Sequence, residues 1–151
     1  MNLPERFELE YTDKDGTKKR PVMIHRVCFG SIERFIGILI EHFAGMFPTW
    51  IAPVQVKVLP ISEKFIEYAS KVKDELDAAG IRVELDNRDE KIGYKIREAR
   101  NERVPYMVVV VGEKDLEANK VSVRSRANGE EGQSDLGEFI ARVKKEIKDR
   151  V

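Results

Sequence analysis

The chain has 151 residues, 42% hydrophobic and 36% charged, the balance of a soluble globular protein with room for one full domain and a shorter piece. Lys plus Arg and Asp plus Glu both number 27, so no global positive field announces a nonspecific nucleic-acid binder, and a polyanion would have to be met by a local patch. One cysteine, Cys28, and two histidines, His25 and His42, exclude a disulfide framework and a closed four-ligand zinc site built from the chain's own Cys and His.

In chain order, Phe7, Leu9 and Tyr11 alternate with Glu8 and Glu10, residues 13–16 supply turn chemistry, and a second extended run follows. This pattern predicts a β-hairpin over residues 7–29. A period of two within residues 21–29 sets Met23, His25, Val27 and Phe29 on one face and Ile24, Arg26 and Cys28 on the other. From Ser31, the apolar residues Ile32, Phe35, Ile36, Leu39, Ile40 and Phe43 form one wide helical stripe, capped by Ser31 and ended at Gly45. Pro48, Trp50 and Pro53 then interrupt both periods, so residues 46–53 read as a stiff connector. A domain boundary is expected there, dividing residues 1–50 from 51–151.

Beyond the connector, strands and helices alternate. Val54, Val56 and Val58 predict a strand, Ser62 caps a helix carrying Phe65, Ala69, Val72 and Leu76 that Gly80 closes, and residues 81–85 form a second strand. Residues 92 to about 103 form the next helix, stopped by Pro105. Residues 106–111 form a strand without polar alternation, hence central and covered on both faces. Residues 120–125 add a strand, and Asp135 caps a last helix carrying Leu136, Phe139, Ile140, Val143 and Ile147. The order β-α-β-α-β-β-α predicts an α/β fold, an open mixed sheet that is mostly parallel with an antiparallel edge and has three helices on its faces. The longest aliphatic run, residues 107–111, is far short of the roughly 20 residues that cross a bilayer. The N-terminal residues show no basic, apolar, small-residue signal pattern, so a cytoplasmic protein is expected.

Three groups of residues could carry chemistry. His25 and Arg34 flank Gly30, and an arginine in the first turn of a helix, beside exposed backbone N–H groups, suits a phosphate, although a packed histidine and a solvated arginine are the plainer reading. Around the second helix of the C-terminal part, Arg88, Lys91, Lys95, Arg97, Arg100 and Arg103 fall within sixteen residues against four acids. This is either a salt-bridged surface or, with Tyr94 three residues from Arg97, a ring beside a guanidinium of the kind that takes unpaired bases. The third group is Lys120, Arg124 and Arg126, which share one strand face in a stretch, residues 118–129, that holds no acid. Such a face is a plain sheet surface or a guide for a sugar-phosphate backbone. By contrast, the helix from Ser62 carries five acids and three bases, so a net charge of zero hides a segregation.

The run PVMIHR, then GSIERFIGILIEHFAGMFPTWIAPVQV, EKIGYKIREAR and RVPYMVVVVGEKD, resembles the C-terminal third of the threonyl-tRNA synthetase family, class II aminoacyl-tRNA synthetases, over almost the whole chain. The resemblance implies the end of a class II catalytic domain, with its third class-defining motif, running into an anticodon-binding domain. It implies that Arg34 holds ATP, and that His25 is one of three zinc ligands that hold the amine and hydroxyl of threonine. The companion ligands and the second motif would lie upstream, so the chain is expected to be a piece of the enzyme, inactive by itself. The cofactors implied are zinc and ATP with Mg for the complete enzyme and none for the fragment. The same resemblance assigns Arg97, Arg103, Asp115 and Arg124 to the anticodon loop, together with Asp89, which stands where other members carry asparagine, as Asp115 stands where they carry glutamate.

The leading expectation is therefore recognition of the anticodon loop of threonine tRNA by a module whose parent is a homodimeric ligase, forming threonyl-adenylate and passing threonine to the tRNA. A non-charging paralogue, whose α/β module mediates dimerisation or holds a protein partner, is the alternative; retained adenylate chemistry would need stabilisers the chain lacks. The apolar stripe of the first long helix would face the absent catalytic core, leaving a patch that invites self-association or disorder.

Overall fold

The structure, a computed structural model, describes residues 2–110 and 120–151. The chain divides into two compact units, Met1–Ile38 and Leu39–Val151. In the first, Pro4 sits in the opening turn of a short helix, α1 (Leu3–Arg6), where its missing N–H removes no helical bond. Strands β1 (Tyr11–Thr12) and β2 (Lys18–Lys19) pair antiparallel, Tyr11 against Lys19. Their turn is pinned by Asp13, whose carboxyl is held below the usual range by the Lys19 ammonium and by the Lys14 N–H at 2.7 Å.

The hairpin is much shorter than the alternation predicts. Residues 21–28 form no strand, and Met23, His25 and Val27 are exposed instead of lining a sheet face. Alternation sets which way side chains would point, but a strand also needs a neighbouring backbone to take its N–H and C=O groups. Among the described residues, the ladder of this sheet stops at Lys19.

Helix α2 (Ile32–His42) begins where the sequence places it: the Ser31 hydroxyl accepts the Arg34 N–H at 3.3 Å and donates to Glu33 at 2.7 Å. None of its residues is buried, and Ile32 is 64% exposed. Gly30 precedes it at φ +66° with open space where a Cβ would stand, so the backbone conformation, not crowding, calls for glycine there.

The second unit is built on β3 (Val56–Pro60), β4 (Val83–Leu85), β5 (Tyr106–Val110), β6 (Lys120–Ser125) and β7 (Gly129–Asp135), in the order β4-β3-β5-β6-β7. β3 pairs parallel with β4 and β5, while β5, β6 and β7 pair antiparallel. Every residue of β3 and β5 is buried, as the unbroken apolar run of β5 requires of a strand covered on both sides.

Val56, Val58, Val108, Val110, Val121 and Val123 face α3 (Ile66–Ala78) and α5 (Leu136–Asp149), whose Val72, Leu76, Phe139 and Val143 complete the larger core. Leu59, Met107 and Val109 face the other way, onto Ile92, Ile96 and Ala99 of α4 (Ile92–Asn101). Asp135 caps α5 as its position predicts, accepting from the N–H groups of Gly137 at 2.8 Å and Glu138 at 3.2 Å. Gly80 closes α3, with the Ile81 N–H returning to the Leu76 carbonyl and the Gly80 N–H to that of Asp77.

Two expectations change. Ser62 makes no side-chain cap; it precedes a single 3-10 turn, Glu63–Phe65, and α3 proper starts at Ile66. β7 has no counterpart in the sequence reading, because GEEGQSD carries no apolar alternation. It is an edge strand whose residues lie exposed or half-buried, and the register slips between Val123 and Arg124 so that Glu131 is bulged.

The connector is stiff for an identifiable reason. Gln55 is fully buried; its amide donates to the Thr49 carbonyl at 2.7 Å and its oxygen accepts the Arg82 N–H at 2.9 Å. The Arg82 guanidinium in turn holds the carbonyls of Trp50 and Ala52. No helix among the described residues is long and apolar enough to cross a membrane.

Candidate nucleic-acid interface

The two faces of the sheet are covered unequally, and this creates the site. Arg124 pairs in register with Met107 and Ser122 with Val109, so both lie on the face that α4 covers over β3 and β5. Past α4 that face stays open: Lys120 is exposed, and Ser122 and Arg124 are only half-buried.

The rotation of α4 about its axis follows from its contacts. Lys95 reaches back to the carbonyls of Pro60 at 3.3 Å and Asp86 at 3.1 Å, and Glu98 receives the Arg88 guanidinium, so this flank faces the β4 side. At 100° per residue, Arg97 and Arg100 fall on the opposite flank, the side of β5 on which β6 lies. Both are exposed, and neither makes a hydrogen bond or ion pair with a described residue. Arg100 belongs to the basic cluster without a role of its own in the sequence pattern; its spacing of three from Arg97 is the signal that joins them.

The other sequence-predicted residues spread along this strip without converging. Asp89 lies at the N-terminal end of α4 in a cleft of about 680 Å³, shared with Ile61, Ser62, Glu63, Lys64, Glu90 and Lys91, beyond the C-terminal end of β3. There the crossover through α3 leads to one side of β3 and the crossover through α4 to the other, and open α/β sheets bind ligands outside such a switch point. Arg103 lies past the far end of α4, about 15 Å along the axis. Its guanidinium packs on Gly45, with Nη1 2.8 Å from where a Cβ would stand.

Arg124 bonds Glu130 at 2.5 Å across the β6–β7 ladder. Arg126 does not join Lys120 and Arg124 on the open face, because β6 ends at Ser125. It donates to the carbonyls of Arg103 at 2.8 Å and Phe47 at 2.9 Å, and burial, then the charge of Arg103, pull its pKa below the ordinary arginine value. Tyr94 bonds Glu98 on the other flank rather than standing free beside Arg97. Asp115 lies outside the described residues.

In the first unit, Arg34 is exposed in the first turn of α2 and forms no ion pair with a described residue. His25 lines a cavity of about 270 Å³ with Leu3, Met23 and Ile24. No three His, Cys, Asp or Glu side chains among the described residues come together as a metal site. The donor set present, one imidazole among aliphatic side chains, does not fit a zinc ion held by this chain alone.

Residues 55–146 match the family model of an anticodon binding domain. The chain belongs to the anticodon-binding domain family. Ahead of this anticodon-binding domain, residues 1–43 match the class II core domain of tRNA synthetases (G, H, P, S and T).

The chain is 64% identical over 150 residues to a threonine–tRNA ligase of Clostridioides difficile strain 630, covering 99% of the chain and 23% of that protein. It is 62% identical over 147 residues to one from Caldanaerobacter subterraneus subsp. tengcongensis, covering 97% and 23%. The chain thus spans about a quarter of the length of the curated relatives it matches. The crystal structure of the RNA binding domain of threonyl-tRNA synthetase from Cryptosporidium parvum Iowa II superposes with a TM-score of 0.74 at 39% identity, covering 95% of this chain and 36% of that one. Prolyl-tRNA synthetase from the same organism shares the fold, with a TM-score of 0.65 at 24% identity.

Proposed function

We propose that this chain is the anticodon-reading end of a threonine–tRNA ligase, and that the strip formed by α4 and the open faces of β6 and β7 takes the unstacked anticodon loop of threonine tRNA. The observation that carries the reading is the pair of guanidiniums, Arg97 and Arg100, that bond no described residue and lie on the flank of α4 beside an exposed sheet face, in a chain of this family. Guanidinium forks suit guanine edges and phosphates, and carboxylates such as Asp89 suit amino donors. Arg124 borders the strip, and Arg103 and Asp115 complete the set of residues we assign to the loop.

In the whole ligase, residues 1–50 would close the class II catalytic domain and residues 51–151 would form the anticodon-binding domain. The parent would be a cytoplasmic homodimer that forms threonyl-adenylate from threonine and ATP with Mg and passes threonine to its tRNA. Arg34 would hold ATP, and His25 would be one of three ligands to zinc, the others lying outside this chain.

Arg97→Ala tests the placement of the site. Because Arg97 is exposed and unbonded among the described residues, folding should be unaffected. Affinity for a threonine tRNA transcript should fall by about 1 to 3 kcal/mol if the side chain reads a base. Equal affinity at fixed salt for the wild-type and variant chains refutes the placement. A gel shift against a transcript with an exchanged anticodon separates loop recognition from general RNA binding.

A further inference from the structure

We propose that Arg88 is a positioning residue of this RNA site: by tying Asp86 at the end of β4 to Glu98 in the middle of α4, it fixes the loop of residues 87–91 that presents Asp89 and Lys91. The inference rests on the RNA-binding reading above and adds a residue that neither the basic clustering nor the resemblance picks out for this role.

The argument begins at a buried charge. The Asp86 side chain is 2% exposed, and a carboxylate withdrawn from water must be satisfied by donors. Arg88 supplies them in the bidentate geometry that fits a carboxylate, from Nε at 2.8 Å and Nη2 at 2.6 Å, with its own backbone N–H at 3.3 Å. The same Nη2 also meets Glu98, which accepts from Tyr94 as well. Asp86 is anchored in its turn, its N–H donating to the Val58 carbonyl at 3.0 Å and its carbonyl accepting from Lys95 at 3.1 Å.

Between these anchors and α4 the chain holds itself only weakly. Residues 87–91 are all exposed, and the backbone bond within the loop runs from the Glu90 N–H to the Arg88 carbonyl at 2.9 Å. A short exposed segment with so little internal bonding takes its position from its ends. The loop's Asp89 and Lys91 line the 680 Å³ cleft. Fixing them before RNA arrives removes an ordering cost from binding. Because the Arg88 fork is already engaged by two carboxylates, its task is geometric, and the flexible point charge of a lysine cannot reproduce it.

The test uses the 151-residue chain and two RNA transcripts, threonine tRNA and the same tRNA with an exchanged anticodon, titrated at several salt concentrations. Arg88→Lys should lose at least about fivefold of the preference for the native loop. The slope of log affinity against log salt should not change, because no phosphate contact is removed. Glu98→Gln, which leaves the Asp86 pair intact and so preserves folding if Arg88→Lys does not, should lose preference in the same direction. In a third variant, Arg88→Gln, which removes the charge that lysine keeps, a slope shallower by about 1 would make Arg88 itself a phosphate ligand and overturn the proposal. Undiminished preference in Arg88→Lys and Glu98→Gln overturns it too. A wild-type chain that prefers neither transcript sinks the tRNA reading itself, and this control is read before any variant is compared.

Discussion

If Arg124 meets RNA as proposed, Glu130 competes for it, and removing the Glu130 charge should tighten binding. The two side chains meet at 2.5 Å, directly across the ladder from one another, and the Glu130 side chain is 66% exposed. A pair this open is bathed in water, and exposed pairs of its kind are worth about 0.2 to 1 kcal/mol. For Arg124 to take a phosphate or a base edge it must release Glu130 or bring the RNA up to a carboxylate, and either route gives back that energy. Glu130→Gln should therefore strengthen binding by up to about 1 kcal/mol, roughly fivefold at most. Anisotropy titration of a labelled threonine tRNA near 0.1 M salt, where the screening length is about 10 Å, is a suitable assay; the gain should shrink as salt rises. In an Arg124→Ala background the same substitution should do much less, since the competitor then has nothing to compete for. Unchanged or weaker binding by Glu130→Gln with Arg124 present refutes the reasoning.

Two further outcomes bear on the scaffold. Gly45→Ala should destabilise the chain in urea by about 1 to 2 kcal/mol, because φ is +74° there and a Cβ would stand 2.8 Å from the Arg103 guanidinium; an unchanged midpoint would mean that the connector relaxes freely. The Arg88 guanidinium holds the Asp86 carboxyl below the usual carboxylate range, outweighing burial. The native state thus keeps Asp86 ionised at pH values where the unfolded chain protonates it, so its contribution is full above the unfolded value near 3.9 and is lost as pH falls through the lower folded value. Asp86→Asn should cost about 1 to 3 kcal/mol at pH 7 and flatten the stability profile below about pH 4, measured by urea titration at each pH; parallel profiles for the two proteins would contradict this.

What the sequence disclosed, it disclosed through apolar periodicity. α3 and α5 each bury the face that their spacing announces, and β5 sits in the middle of the sheet because an unbroken apolar run can be satisfied only between two covers. β7 was hidden because its stability comes from the ladder with β6 and not from its own side chains. The signal available was the Asn128-Gly129 pair at the turn, where Gly129 takes φ +76°.

The hairpin that alternation predicts out to residue 29 has its ladder end at Lys19, because alternation implies a strand only where another backbone accepts its hydrogen bonds. Among the site residues, the surface place of Arg97 follows from the basic cluster around its helix, whereas Asp89 is reached only through the family resemblance. The destinations of Arg103 and Arg126 are not legible in the sequence, since both guanidiniums turn to the connector at Gly45 and Phe47, which is remote in sequence.

Those destinations explain how a chain with no net charge can carry a surface suited to a polyanion. Its arginines divide by what their donors already hold. Arg82 and Arg126 are spent on backbone carbonyls of residues 47–52 and 103, and Arg88 on a buried carboxylate; their charges contribute little that a phosphate could use. Arg97 and Arg100 bond no described residue, and Lys120 stands exposed on the same side of β5. The acids of the helix from Ser62 balance the total, but α3 packs on the opposite face of the sheet, where the sheet and its core separate them from the strip. A formal count adds engaged and free cations alike and cancels charges on opposite faces, whereas affinity for RNA depends on the donors left unbonded on one face.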